Sequence, residues 1–108
     1  MNANDVFRVA LVTVPDIEIA RQITKIILEA RLAACVNILP KVESHYWWKG
    51  KIQKDSEVML VIKTKTAKIQ HLEEAVIAAH PYDTPEFITL PIVEGSPPYM
   101  KWLAESTT

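Results

Sequence analysis

At 108 residues, 49% of them hydrophobic and 23% charged, the chain has the length and balance of one ordinary folded domain, spanning 1–108, and not of a charge-rich disordered segment. Lys and Arg number 12 against 13 Asp and Glu, and neither sign forms a block, which argues against nucleic acid or an anionic membrane surface as a partner. The longest apolar runs, such as VALVTV and FITLPIV, fall short of the roughly 20 residues that cross a bilayer.

MNANDVFRV at the N-terminus lacks the basic-then-apolar order of an export signal. A lone Cys35 excludes an internal disulfide and suits a reducing compartment, so the cytoplasm is the expected location.

FRVALVTV, Phe7 to Val14, is short, β-branched and almost continuously apolar, as a strand buried on both faces would be. PDIEIARQITKIILEARLAA follows as a helix, with Ile17, Ala20, Ile23, Ile27 and Ala30 on one stripe. Pro15 and Asp16 suit its start, where a carboxylate faces the positive end of the dipole. Ala34 to Thr64 reads as two extended runs around WKGK, with Gly50 at the tip of a hairpin. Alternation puts Val42, Ser44, Tyr46 and Trp48 on one face and Lys41, Glu43, His45 and Trp47 on the other. Pro40 cannot donate to a ladder and marks a kink or bulge.

KTAKIQHLEEAVIAAH gives a second helix with Ile69, Leu72, Val76 and Ala79 at core spacing; it stops at His80, because Pro81 pushes the residue before it out of the helical region. EFITLPIV supplies a fourth strand, and Pro91 within it argues for an edge or a bulge. SPPYMKWLAE closes the chain as a short helix, with Ser96 as N-cap and Tyr99, Trp102 and Leu103 expected to face inward. Trp102 would anchor that helix to the sheet.

The order β-α-β-β-α-β plus a terminal helix is the α+β, ferredoxin-like arrangement, with two helices on one face of an antiparallel sheet. Hairpin arms of about fifteen residues would reach about 50 Å, far beyond a typical strand. Such a ribbon overhangs its own domain and carries YWW near its tip. It calls for cover by other copies of the chain, as in a trimer built on one repeated heterologous contact.

VTVPD, RLAACVNILP, YWWKGKI, SEVMLVIKT, HPYDTPE and YMKWL, in that order and over nearly the whole chain, resemble the CutA family of divalent-cation tolerance proteins. The resemblance implies a homotrimer of ferredoxin-like subunits, similar in architecture to the PII signalling proteins, and a role in tolerance of divalent metals, copper above all. It also implies a copper site formed by a Cys ahead of Thr-x-Pro and two adjacent His ahead of Pro-Tyr. In this sequence Val12 stands at the Cys place and Ala79 at the first His place, so His80 alone matches. Copper(II) prefers several nitrogen or oxygen donors in a tetragonal set, which one imidazole does not supply. Three His80 side chains pooled near a trimer axis would be one remedy.

The remaining candidates each have a plain alternative. His80 at a helix C-terminus serves either as a bond to a free carbonyl or as a ligand. Tyr82 and Glu86, beside two prolines, fix an interface or pre-form a pocket, and Asp83 suits a turn bond to its own backbone. Cys35 is either a small buried hydrophobe or, with His80 or His45 as base, a nucleophile. His45 and His71 are expected in solvent.

No Cys-x-x-Cys or His-x-x-x-His pair signals zinc, and two glycines build no phosphate cradle. YWWKGK reads as a subunit contact in preference to a stacking platform for single-stranded nucleic acid. The functional expectations are a trimeric, non-enzymatic protein of copper or other divalent-cation homeostasis, a PII-like sensor of a small anion or metabolite between subunits, or an enzyme using Cys35 or His80.

Overall fold

The structure, a computed structural model, describes residues 5–108, so the reading of the N-terminal MNANDVFRV falls in part outside the described residues. The elements are β1 (Phe7–Val14), α1 (Ile17–Glu29), β2 (Cys35–Trp48), β3 (Lys51–Lys65), a 3-10 turn (Thr66–Lys68), α2 (Ile69–Ala79), β4 (Ile88–Pro91) and α3 (Pro97–Ser106). The four strands form one antiparallel sheet in the order β2-β3-β1-β4, which is the ferredoxin-like order expected from the sequence. Among the described residues no helix is long and apolar enough to cross a membrane.

The core follows the two periodicities. Ala10, Val12 and Val14 of β1 and Val58, Leu60 and Ile62 of β3 point to one side of the sheet. Ala20, Ile23 and Ile27 of α1 and Leu72 and Val76 of α2 close over them, so one apolar stripe per helix meets alternate residues of the strands.

Asp16 starts α1 by accepting a hydrogen bond from the Ile19 N–H at 2.8 Å. The helix ends earlier than its apolar stripe implies, at Glu29, because the chain turns left-handed at Arg31, where φ is 59°. The Leu32 N–H then reaches the Ile27 carbonyl and the Arg31 N–H the Leu28 carbonyl, the paired bonds of a Schellman ending. Glycine is the usual signal for this turn, and an arginine in its place hides it. Thr64 Oγ1 donates to the Leu32 carbonyl at 2.7 Å and docks the turn on β3.

The hairpin turns on Lys49 and Gly50, both at positive φ, between the paired Trp48 and Lys51, as a two-residue type I′ turn requires. Between Leu39 and Val42 the register of β2 against β3 shifts, with Pro40 and Lys41 in the irregularity and Lys41 at φ 62°. The extra residue reverses the alternation. Before it, Val36 and Ile38 share the helix side with Ile62 and Leu60; after it, Val42, Ser44, Tyr46 and Trp48 lie opposite Glu57, Asp55, Gln53 and Lys51 on the other side. Twist and bulge also shorten the ribbon, so the described chain is 43 Å along its longest axis and not the 50 Å of two flat arms.

That other side of the sheet carries, by register, Val9, Leu11, Met59, Val61, Leu39, Ile88 and Leu90. Leu39, Ile88 and Leu90 are 43%, 52% and 50% exposed. β4 is an edge strand, which accommodates Pro91 opposite Arg8.

In α3 only Leu103 faces inward as expected; Tyr99 and Trp102 are half exposed and stack on each other with centroids 5.4 Å apart. A ten-residue helix with one buried stripe position has no interior for three large side chains, so Trp102 does not anchor it. Ser96 precedes the helix without a side-chain cap bond.

Replacing Asp16 with Ala removes the one side-chain cap of α1 and is expected to cost about 1 kcal/mol, measured as a lower urea midpoint at unchanged slope.

Candidate functional site

β1 runs three residues past its pairing with β4, which begins at Ile88 opposite Leu11. The Phe7 carbonyl points toward the β4 side, where it accepts from the Ile92 N–H, and alternation points the Thr13 carbonyl the same way. There Thr13 has no strand beside it, and a buried carbonyl without a partner is costly.

His80 fills the vacancy. Its Nε2–H donates to the Thr13 carbonyl at 2.7 Å, its Nδ1 accepts the Tyr82 N–H at 3.2 Å, and the ring is 8% exposed. These two bonds fix the tautomer with the proton on Nε2. Tyr82, folded back so that its ring lies 4.8 Å from the imidazole, then donates its hydroxyl to Glu57 Oε2 at 3.0 Å.

The loop so held forms one wall of a cleft of about 810 Å³. Pro81, Tyr82, Asp83, Thr84 and Glu86 line it on the loop side; Thr13, Met59 and Glu57 form the floor; Ser44, Tyr46, Trp48, Glu43 and His45 come from the outer hairpin. Of its charged side chains four are carboxylates and none is Lys or Arg.

Glu57 is buried at 8% exposure. Burial, and then the charge of Glu57, push the Glu86 carboxyl above the ordinary carboxylate range. Burial and the hydrogen bond to Glu57 raise the Tyr82 phenol. Tyr46 is raised by its hydrogen bond to Asp55 and by burial.

The sequence candidates separate accordingly. Tyr82, Asp83 and Glu86 all line the cleft. His80 stands behind the cleft wall with both ring nitrogens engaged, so neither offers a free lone pair to an ion. Val12 is fully buried under the helices and Ala79 packs against the same core; neither has a donor. The copper set that the resemblance implies therefore does not fit these residues, and no three His, Cys, Asp or Glu among the described residues converge to hold a metal.

Cys35 pairs with Lys63, whereas His80 docks on Thr13, opposite Met59. Four residues of strand, about 13 Å, separate them, and His45, opposite Lys54, is farther still. Among the described residues Cys35 Sγ has only Asn37 Oδ1 as a partner, at 3.8 Å. His45 pairs with Glu43 at 2.7 Å and His71 approaches Glu74 at 3.8 Å, both in solvent as expected.

Sequence reasoning missed Glu57. The signal was a carboxylate at the head of the apolar run VMLVI, on the parity of Met59 and Val61 and not on that of the core residues Val58, Leu60 and Ile62. Tyr46 and Trp48 were assigned to one face, but only the bulge at Pro40 and Lys41 decides that this face is the one Glu57 occupies.

The family model for the CutA1 divalent ion tolerance protein matches residues 8–106. A divalent-cation tolerance protein CutA of Thermus thermophilus is 50% identical over 99 residues, covering 92% of this chain and 96% of that protein. A CutA homolog of Danio rerio is 50% identical over 98 residues, covering 91% of this chain. The chain spans about two thirds of the length of the fish and frog relatives, 65% and 64%, and about half of the mammalian ones. Among solved structures, the Thermus thermophilus protein superposes with a TM-score of 0.92 at 48% identity, over 94% of this chain and 99% of that one. CutA1 from Oryza sativa gives 0.93 at 45%, over 99% and 98%.

Because the Glu86 carboxyl is raised in the folded state, its contribution to stability is complete below the ordinary carboxylate range and is lost as pH rises through the raised value. Glu86→Gln is therefore expected to match the parent in thermal melting near about pH 4. Above the raised value it should be the more stable by about 0.5 kcal/mol or less, the side chain being partly in solvent.

Proposed function

The chain belongs to the CutA1 divalent ion tolerance family, and from that premise we propose that it acts as a non-enzymatic homotrimer serving tolerance of divalent cations, copper among them. The observation that carries the proposal is the sheet face opposite the helices. Leu39, Ile88 and Leu90 stand half exposed there; Trp47 and Ile52, paired on the opposite face of the outer hairpin, are 70% and 65% exposed. Large apolar side chains bared on both faces of one sheet are unusual on a free monomer. A two-stranded ribbon is marginal without packing, so contact with further copies accounts for both features at once. Three copies close such a head-to-tail contact into a ring.

The non-enzymatic reading is supported by the separation of Cys35 from both His80 and His45, which leaves neither imidazole beside the thiol as a base. The cytoplasm remains part of the proposal on the strength of the lone Cys35. Within it His80 works as a structural tie: ligation through Nδ1 would displace the Tyr82 N–H, and ligation through Nε2 would orphan the Thr13 carbonyl. Influence on cation tolerance then runs through assembly or through a ligand, and not through a copper ion on His80. A PII-like sensor is the second reading, favoured by the cleft; the carboxylates on its walls disfavour the small-anion version of it.

Light scattering at micromolar concentration is expected to give three times the chain mass, and Leu90→Lys, which places a charge in the apolar face, is expected to give the monomer. A monomeric parent would contradict the trimer. Copper(II) titrated into metal-stripped protein is expected to bind weakly, and equally in His80→Gln; tight binding lost in that variant would restore His80 as a ligand.

A further inference from the structure

The cleft is acidic and aromatic at once, and beyond the bond from Tyr82 to Glu57 and the packing of Tyr82 on His80 the fold uses neither property. Glu57 is more than nine-tenths buried, yet its charge meets no Lys, Arg or His within ion-pair distance among the described residues. Among the described residues the one side-chain donor to its carboxylate is the Tyr82 hydroxyl, on Oε2, and Glu57 lines the cleft. Glu86 lines the same cleft. Around them Tyr46, Trp48 and Tyr82 are each between 39% and 49% exposed, with rings lining the cleft.

Charge and shape select the occupant. An anion is repelled. A hard divalent ion seeks six or more oxygens, while no third acid converges with Glu57 and Glu86 to hold one; aromatic faces and Met59 offer such an ion nothing. An ammonium or guanidinium, in contrast, pairs with carboxylates through directed N–H bonds and is attracted to the negative faces of Tyr and Trp rings. The volume, about 810 Å³, is that of a small-molecule site and far exceeds a bare ion.

We propose that this cleft binds an organic cation, an alkylammonium or guanidinium group, with Glu57 and Glu86 as its charge partners and Tyr46, Trp48 and Tyr82 as the rings it rests on. One chain builds the whole cleft, so binding does not rest on the trimer. The cation belongs either to a free amine or to a Lys or Arg side chain of a neighbouring copy, and the recognition chemistry is the same.

Agmatine, which carries both cationic groups, is titrated calorimetrically into the full chain at about 50 mM salt, where screening is modest, with magnesium chloride as the comparison. Agmatine is expected to bind and to raise the melting temperature, while magnesium does neither. Glu57→Gln is expected to weaken agmatine by about tenfold or more. Trp48→Leu, which keeps the acids and removes a ring face, should weaken it as well, and the solvent-facing Glu74→Gln should leave it unchanged.

No heat and no melting shift at millimolar agmatine would overturn the proposal, as would unaltered binding in Glu57→Gln, or magnesium binding as tightly and displacing the amine. Light scattering on the same samples reads assembly separately. Agmatine binding without change of mass supports a free ligand. Agmatine that dissociates an assembly already weakened by Glu57→Gln supports a neighbour's side chain in the same site. A monomer that binds agmatine overturns the trimer and supports the cleft.

Discussion

The His80 imidazole is bonded at both nitrogens, and the cleft exists because of it. The Thr13 carbonyl is left without a ladder partner where β4 falls short, and a buried acceptor must find a donor. Nε2–H supplies that donor, which pins the end of α2 onto β1. Nδ1 is then the acceptor and draws the Tyr82 N–H back over the ring. Tyr82 in turn places its hydroxyl on Glu57 of β3. One neutral ring thus connects β1, the exit of α2 and β3, and Pro81 and Pro85 keep the intervening loop from relaxing.

A second constraint, the bulge at Pro40 and Lys41, decides what the loop faces. A strand of unbroken register would carry Ser44, Tyr46 and Trp48 to the helix side, beyond the ends of α1 and α2. The extra residue turns them to the side where Glu57 and the loop stand. The same reversal ends the apolar floor of the sheet and begins the polar, aromatic wall of the cleft. The open apolar face and the cleft are therefore adjacent products of one strand irregularity, which places any ligand site beside the surface proposed for assembly.

The fold was legible in the sequence wherever a single periodicity governed a segment. β1, both arms of the hairpin and the stop of α2 at His80 follow from alternation, the 3.6-residue stripe and Pro81. The end of α1 was not legible, because Arg31 occupies the left-handed position that glycine would have advertised. Tyr99 and Trp102 do not follow the rule that large apolar side chains are buried, because α3 is too short to bury both. The cleft was half legible: Tyr82 and Glu86 stood out beside their prolines, but Glu57 was concealed in an apolar strand. Its meeting with Tyr46 and Trp48 depends on a parity change whose presence, but not whose count of residues, Pro40 signals. His80 stood out for its chemistry; its partner is a backbone carbonyl, which leaves no mark in a sequence.

Its role as a tie, and not as an ion ligand, is most directly tested by nitrogen NMR of the His80 ring at about pH 8, above the ordinary histidine value, with and without one equivalent of zinc(II). The account predicts a single tautomer protonated at Nε2, with an Nδ1 resonance that zinc leaves in place. A ring protonated at Nδ1, a mixture of tautomers, or an Nδ1 signal shifted by zinc would contradict it.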